Sequence, residues 1–236
     1  ILSGTVAPEQ IGAFLSALHF RGVVAEELTG FVRCLREKAV KVSMPQQQDI
    51  LDVCGTGGDG LGTFNVSTCV ALVVASLGQK VAKHGNRAVS SRCGSFDLLE
   101  ELGIAFDTNP EQAQKSLDQF GICFLFAPAF HPILKTVGPL RKQLGVRTIF
   151  NALGPLLNPV GVGRQLVGVY SNKLLRPVAE TLKKLGTLEA LVVCGENGED
   201  EISLIAPTQA IHLKEGVLKD YVFRAHSSPF SEALEI

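Results

Sequence analysis

The sequence contains no tryptophan, two tyrosines and one methionine, and aromatic residues make up 6% of its length. This shortage of rings disfavours a surface on which nucleic-acid bases stack. The net charge is −1, with 22 basic and 23 acidic residues that alternate without a block of one sign. Binding to a phosphate backbone needs a clustered excess of Lys and Arg, so nucleic acid is disfavoured as the main partner.

Long apolar runs and paired metal ligands are also missing. The longest mostly apolar stretch, residues 66–77, is far shorter than the roughly 20 residues of a membrane span. No basic segment followed by an apolar core opens the chain, so we expect no signal peptide. The six cysteines form no C-x-x-C pair, which indicates reduced, buried thiols in a cytoplasmic protein. The five histidines show no i, i+4 pairing, so zinc has no support.

The 236 residues suffice for one large or two modest domains, and the hydrophobic pattern changes near residue 49. Helical periodicity predicts helices at 8–20 and 25–39, followed by a polar linker at 42–48. Short apolar runs then alternate with helical segments. We predict strands at 50–54, 80–83, 122–127, 166–170 and 188–194, with helices at 66–77, 95–102, from 110, 132–144 and 174–185. This alternation indicates a mostly parallel sheet covered by helices, with a hairpin at 210–213 and 217–223.

A glycine-rich run at 55–60, Gly-Thr-Gly-Gly-Asp-Gly, follows a predicted strand and precedes a helix. Glycines let backbone N–H groups approach a phosphate, and the helix N-terminus favours negative charge. The run matches G-x-G-x-x-G, but the next strand ends at Lys80–Lys83 rather than at an acid for a ribose, which disfavours NAD. No Gly-Lys-Ser/Thr follows, so the run is not a Walker A loop.

Two polar segments accompany this loop: 65–68 begins the next helix, and 83–91 ends the next strand. Because the carboxyl ends of parallel strands meet at one edge of a sheet, we expect a single crevice there. Its chemistry suits a polyanionic, hydroxylated ligand such as a sugar phosphate. Asp200-Glu201 follows a further strand, and paired carboxylates can hold Mg²⁺ beside substrate phosphates. From spacing alone, a solvated acidic turn is the simpler interpretation of that pair.

Taken together, these motifs resemble the anthranilate phosphoribosyltransferases of tryptophan biosynthesis. The matching segments run in the family's order across nearly the whole chain: 55–60, 65–68, 83–91, 94–95, Arg141, 147–159 and 200–201. The resemblance implies an α/β fold, with a small helical N-terminal domain and a large α/β domain around a mostly parallel central sheet, as in pyrimidine nucleoside phosphorylases. It places the helical domain at 1–45, rejoined by 129–147, and the α/β domain at 49–236. Measured against the family, the chain starts within the first helices and stops before the C-terminal part, so we expect a truncated relative.

The resemblance also implies a reaction, in which the 5-phosphoribosyl group of phosphoribosyl pyrophosphate (PRPP) passes to the amine of anthranilate. The implied PRPP contacts are Gly55, Gly58, Asp59, Thr63, Asn65, Val66, Ser67, Thr68, Lys83, His84, Gly85, Asn86, Arg87, Ala88, Val89, Ser90, Ser91 and Ser95. The implied anthranilate contacts are Gly55, Asn86 and Arg141. The implied ligands of magnesium, with two ions per subunit, are Ser67, Asp200 and Glu201. No general acid or base is implied, and the expected assembly is a homodimer formed through the helical domain.

Three alternatives remain open at this point. A nucleoside phosphorylase would use the glycine loop for inorganic phosphate, but Arg141 and the intact 83–91 run count against it. A non-catalytic relative would bind nucleic acid or protein, against which stand the net charge and the acidic pair at 200–201. An NADP-dependent oxidoreductase would place Lys83 near a 2′-phosphate, and it leaves the other motifs unexplained.

Overall fold

The computed structural model describes residues 1–2, 5–58, 60–62, 64–88 and 93–224. Its helices are α1 (Pro8–Arg21), α2 (Ala25–Glu37), α3 (Val66–Ser76), α4 (Ser95–Glu101), α5 (Pro110–Phe120), α6 (Ala127–Phe130), α7 (Gly138–Leu144), α8 (Ile149–Leu153) and α9 (Leu175–Lys184). Its strands are β1 (Leu51–Gly55), β2 (Val81–Gly85), β3 (Ile122–Phe126), β4 (Arg164–Gly168), β5 (Glu189–Gly195), β6 (Thr208–Lys214) and β7 (Val217–Phe223). In these described ranges, no helix combines the length and the apolar character that crossing a membrane requires.

The strands form one seven-stranded sheet in the order β3-β2-β1-β4-β5-β6-β7. Strands β1 to β5 are parallel to one another, whereas β6 is antiparallel to β5 and β7 is antiparallel to β6. The predicted mostly parallel sheet and the terminal hairpin are thus confirmed. The chain builds outward from β1 to β3 and then crosses to β4 on the other side of β1. Ligands of open α/β sheets bind outside the carboxyl ends of the strands at such a switch point.

Helices cover both faces of the sheet, as the side chains of β3 illustrate. Cys123 and Leu125 join one buried cluster with Leu117 of α5, whereas Phe124 joins a second cluster with Phe96 of α4. Successive strand residues point to opposite faces, so this alternation places α5 on one side and α4 on the other. The structure therefore confirms the α/β class.

The N-terminal helices pack on the helical layer of the sheet rather than standing apart from it. Leu28 and Leu35 of α2 lie in one hydrophobic cluster with Val178 and Leu182 of α9, and α1 contacts α7 and α8. The contact between α1 and α7 agrees with a return of the middle of the chain to the helical part. The division into residues 1–45 and 49–236 stays a prediction.

The predicted helix at 132–144 is wrong in its first third. Residues Pro132–Thr136 form a 3₁₀ turn, and α7 starts afresh at Gly138. Pro139 lacks an N–H donor, so it is tolerated in the first turn of a helix but not in its interior. Strand β3 ends one residue earlier than predicted, because α6 begins at Ala127.

The expectation of buried cysteines is only partly met. The six cysteines are present as thiols rather than as disulfides. Cys123 and Cys194 are buried, but Cys34, Cys69 and Cys93 are exposed. Apolar neighbours in the sequence mislead for Cys34 and Cys69, because a helix on the surface turns one face to solvent even where most of its residues are apolar.

Candidate active site

The glycine loop leaves β1 at the switch point of the sheet and is anchored to the end of β4. Gly57 and Gly58 have φ angles of 64° and 74°, a left-handed conformation that glycine adopts without strain. Thr56 N–H donates to the carbonyl of Gly168 at 2.9 Å, and Thr56 Oγ1 accepts from Tyr170 N at 3.1 Å. The backbone N–H groups of this loop are therefore presented on a fixed frame.

Arg147 supports the same loop from the segment before α8. Its guanidinium donates to the carbonyl of Gly58 and lies 4.4 Å from the centroid of the Tyr170 ring. Arg147 belongs to a segment that matches the family motifs, but the motif alone assigns it no role. In the structure, Arg147 holds the glycine loop in place through this hydrogen bond.

The acidic pair after β5 lies directly over the glycine loop. Asp200 Oδ2 accepts a hydrogen bond from Gly57 N at 2.6 Å. A Cβ atom on Gly55 would collide with that carboxylate, and one on Gly168 would collide with the carbonyl of Asp200. Only glycine at the ends of β1 and β4 lets the acidic segment approach this closely.

Asp200 and Glu201 are not a solvated acidic turn. Asp200 is 7% exposed, and Glu201 accepts a hydrogen bond from the backbone of Ser67 at the start of α3. Burial, and then the nearby charge of Asp200, raise the pKa of Glu201 to about 7, while Lys83 opposes the shift. The two carboxylates thus accept hydrogen bonds from N–H groups of the glycine loop and of a helix N-terminus. An anionic ligand would bind to the same kind of N–H groups.

Lys83 lies beneath this arrangement and is 1% exposed. Its ammonium donates to the carbonyl of Val53 at 2.6 Å and to Ser67 Oγ at 3.1 Å. Lys83 therefore connects β1 to the first turn of α3 and brings a positive charge below the acidic pair.

The loop after β2 is tied to α4. Asp97 accepts from Ala88 N at 2.7 Å and from Gly94 N at 2.8 Å, and a Cβ on Gly94 would collide with Ala88 N. Arg87 is exposed to solvent, and its guanidinium donates a hydrogen bond to Glu100 of α4. The guanidinium of Arg87 consequently lies against α4.

Two buried histidines face each other behind this loop. The rings of His84 and His131 lie 5.3 Å apart, edge to face, and the two residues are 3% and 1% exposed. Burial, followed by the charge of His131, lowers the pKa of His84 to about 3. Both imidazoles are neutral near pH 7 and line an interior polar region.

Arg141 on α7 is half-buried, and its guanidinium carbon lies 5.5 Å from the centroid of the Phe150 ring. Burial lowers the pKa of Arg141. In the described part of the chain, no carboxylate lies within ion-pair distance of this guanidinium. A partly buried cation of this kind is suited to an external carboxylate.

The structure thus brings several predicted site residues together and leaves others undescribed. Joined by the contacts above are Gly55, Gly58, Ser67, Lys83, Asp200 and Glu201. Next to them, Asn65 contacts Cys93, Val66 begins α3, and the buried Thr68 follows. A Cβ added to Gly85 would meet Phe96 at 3.0 Å and Ser95 at 3.6 Å. Asn86 Oδ1 accepts from Arg87 N at 2.8 Å. Asp59, Thr63, Val89, Ser90 and Ser91 lie outside the described residues.

Two buried polar residues of this region, Asp52 and Asn158, are absent from the predicted site. Asp52 is fully buried; its carboxylate accepts from His84 N at 3.2 Å and from Asn158 Nδ2 at 2.9 Å. Burial raises the pKa of Asp52 to about 6, although the hydrogen bond from Asn158 opposes the shift. A carboxylate inside the apolar run at 50–54 is a signal that could have found it.

The acidic pair and Ser67 fit magnesium. Mg²⁺ prefers oxygen ligands and is usually held by one or two carboxylates, with waters and substrate phosphates completing its shell. Asp200, Glu201 and the hydroxyl of Ser67 supply such oxygens. Across the described ranges, no group of three or more His, Cys, Asp or Glu gathers into a protein-only site.

Comparison with known families now places the chain. The profile of the glycosyl transferase family, a/b domain, matches residues 47–235, and that of the glycosyl transferase family, helical bundle domain, matches residues 1–39. The chain belongs to this family. Both predicted parts, a small helical domain and an α/β domain, are therefore family features.

Its relatives include enzymes named anthranilate phosphoribosyltransferase. That of Afipia carboxidovorans is 49% identical and covers 94% of this chain and 65% of its own length. That of Nitrobacter hamburgensis is 47% identical and covers 99% of this chain and 68% of its own. The chain thus spans about two thirds of the length of these relatives.

Solved structures agree with the sequence relatives. The anthranilate phosphoribosyltransferase of Thermus thermophilus matches with a TM-score of 0.86 and 44% identity, over 94% of this chain and 65% of that one. The enzyme from Saccharomyces cerevisiae, solved in complex with PRPP and Mg, matches with a TM-score of 0.84 and 34% identity, over 94% of this chain and 64% of that one.

Proposed function

We propose that the protein is an anthranilate phosphoribosyltransferase, a pentosyltransferase that moves the 5-phosphoribosyl group of PRPP to the amine of anthranilate and releases pyrophosphate. This reaction is the second step of tryptophan biosynthesis from chorismate. The observation that carries the proposal is the meeting of the glycine loop, the N-terminus of α3 and the Asp200-Glu201 pair at one sheet edge. The relatives' name and the PRPP and Mg in the yeast structure support it.

The donor lies across the carboxyl ends of β1 and β2. Backbone N–H groups of the glycine loop and of α3 bind its pyrophosphate, which suits a polyanion at a helix N-terminus. Lys83 contributes positive charge from below the loop. Asp200, Glu201 and Ser67 would hold magnesium, two ions per subunit, and the metal when bound would neutralise charge on the departing pyrophosphate.

Anthranilate binds through its carboxylate to Arg141, with Asn86 and Gly55 as further contacts. A planar guanidinium matches a carboxylate with two parallel hydrogen bonds, and Phe150 holds the Arg141 side chain in place. A solved yeast relative in complex with 4-fluoroanthranilate supports an aromatic acceptor for this family.

Catalysis rests on positioning and charge rather than on a general base. The aromatic amine of anthranilate is neutral near pH 7 and already nucleophilic, so it attacks C1 of the ribose without prior deprotonation. The amine gives up one proton to the released pyrophosphate or to water once the C–N bond has formed. C1 passes through a cationic state as the bond to pyrophosphate breaks, and the N–H groups and Lys83 stabilise the leaving group. His84 stays neutral, so it adds no charge that would repel the developing cation.

We also propose a cytoplasmic homodimer that associates through the helical domain. Cysteines that are present as thiols support a reducing compartment. On α1, Phe20 is 86% exposed and Phe14 is 44% exposed, and exposed apolar side chains of this size favour burial at an interface. Light scattering of the purified protein would test the dimer, since a molar mass of one chain would contradict it.

Anthranilate fluorescence provides the test of the proposed activity. We expect the signal to fall when protein, PRPP and Mg²⁺ are all present, and to stay constant when any one of the three is omitted. Folded protein that leaves the signal unchanged over several hours, at saturating donor and metal, would refute the proposal.

A further inference from the structure

The ladder between the neighbouring strands β1 and β2 ends before these strands reach the candidate site. Within these described strands, β1 pairs with β2 only at Leu51 and Val81. In contrast, β1 pairs with β4 from Leu51 to Gly55, and β2 pairs with β3 from Val81 to Gly85. The sheet is therefore regular on both sides of an opening between β1 and β2. At its carboxyl end, this opening leads into the glycine loop and the loop that starts at Asn86.

Side chains make the hydrogen bonds that would continue the ladder between β1 and β2. His84 N–H donates to Asp52 Oδ1 at 3.2 Å. The carbonyl of Ala82 accepts from Asn158 Nδ2 at 2.8 Å, and the same amide donates to Asp52 Oδ2 at 2.9 Å. One carboxylate and one amide thus satisfy two backbone groups of β2 that a regular parallel ladder would direct at β1.

Lys83 replaces a further hydrogen bond of the ladder, one that involves a backbone group of β1. The carbonyl of Val53 accepts from Lys83 Nζ at 2.6 Å instead of from a backbone N–H of β2. Asp52, Asn158 and Lys83 are 0%, 1% and 1% exposed, so their hydrogen bonds lie out of contact with bulk solvent. Because buried backbone groups need partners, these three side chains together keep the opening stable.

We propose that Asp52 and Asn158 are positioning residues: they hold β1 and β2 apart and so set the distance between the glycine loop and the loop that starts at Asn86. Backbone pairing would bring the strands to about 4.8 Å, which leaves no room for a carboxylate between them. This inference rests on the proposed function, because both loops are assigned to PRPP. Neither residue touches a substrate; each acts through the strands.

Asp52→Asn tests the proposal with little change of shape. An amide at this position turns its NH₂ group toward either Asn158 Nδ2 or His84 N–H, so one of the two hydrogen bonds is lost in each orientation. We expect the dissociation constant of PRPP with Mg²⁺, measured by calorimetry, to rise about tenfold or more. Asn158→Leu, which keeps the volume and removes both amide bonds, should have the same effect.

Asp107→Asn is the matched control. Asp107 is 5% exposed and accepts from Phe124 N at 2.9 Å and from Ser116 Oγ at 2.7 Å. It is a buried carboxylate that bonds a strand backbone, but it lies outside the opening. We expect a comparable fall in melting temperature and a PRPP dissociation constant within about twofold of wild type.

Two results would overturn the inference: an unchanged PRPP dissociation constant in both site variants, or an equal loss in Asp107→Asn. A wild-type protein that binds no PRPP would instead refute the proposed function. In that case, a crystal structure of Asn158→Leu would test the positioning role without PRPP. Altered spacing of β1 and β2 supports the positioning role, and unchanged spacing rejects it.

Discussion

The carboxylate of Asp200 accepts a hydrogen bond from the backbone N–H of Gly57 across 2.6 Å. An acidic side chain thereby accepts a hydrogen bond from a backbone N–H group that the proposed pyrophosphate site needs. Under the proposed function, phosphates that bind at Gly57 N–H would have to displace the carboxylate of Asp200 from it. The proposed function thus makes the acidic pair part of the PRPP site.

Replacing both acids, Asp200→Asn with Glu201→Gln, should lower turnover by at least about a hundredfold, because the carboxylate charges that attract Mg²⁺ are lost. Asparagine keeps an acceptor for Gly57 N–H, so the fold should survive. Steady-state rates across a magnesium titration provide the measurement. Glu199→Gln, which removes an acid from the same segment, is the control and should behave as wild type. Wild-type turnover and an unchanged magnesium dependence in the double variant would remove the pair from the site.

Gly57→Val should abolish PRPP binding. A Cβ at Gly57 meets nothing within 4 Å, so the expected cost comes from its φ of 64° and from the blocked approach to phosphate. Gly186→Val is a close match, since Gly186 has a φ of 83° and equally open surroundings in the turn after α9. Both variants should lose about 1–2 kcal/mol of stability, while only Gly57→Val loses binding in calorimetry. Equal PRPP affinity in the two variants would place the pyrophosphate elsewhere.

Arg141→Ala should weaken anthranilate binding by about 1.5–3 kcal/mol, or tenfold to more than a hundredfold, with little change for PRPP. Arg141→Lys should recover part of this loss, since it restores the charge without the planar fork. Lys142→Ala removes the adjacent exposed cation and serves as the control. An anthranilate constant within about twofold of wild type in Arg141→Ala would show that another group holds the carboxylate.

The burial of His84 should make stability depend on pH. Its pKa is about 3 in the folded chain against an ordinary value of 6.5. Between these values the native state binds fewer protons than the unfolded state, so the free energy of unfolding falls as the pH drops, by up to about 1.4 kcal/mol per unit. Urea titrations between pH 7 and pH 4.5 should show a shallower slope for His84→Gln than for wild type. The exposed His19 offers His19→Gln as control, and an identical slope in all three proteins would contradict this account.

Much of the fold follows from local patterns in the sequence. The strand that becomes β1, the glycine loop and the first turn of α3 each carry a strong local signal, and the terminal hairpin is marked by Glu215-Gly216. Both of these turn residues have a positive φ, as a two-residue hairpin turn requires. The order of the strands has no such local signal, because it depends on which strand edges meet after the helices pack.

The interior of the site was harder to predict for the same reason. Asp52 and Asn158 are 106 residues apart in the chain, and nothing near either one indicates the other. Arg87 appears in the sequence as one more cation of the polar loop, but it pairs with Glu100. Which of several cations faces a ligand depends on the tertiary partners that compete for it.

Product analysis tests the central claim most directly. Purified protein is incubated with PRPP, anthranilate and Mg²⁺, and, in parallel, with uridine and inorganic phosphate, and the products are separated by mass spectrometry. We predict equal amounts of N-(5-phosphoribosyl)anthranilate and pyrophosphate in the first reaction and no ribose 1-phosphate in the second. Ribose 1-phosphate from uridine, with no phosphoribosylated anthranilate, would contradict the account and identify a nucleoside phosphorylase built on the same fold.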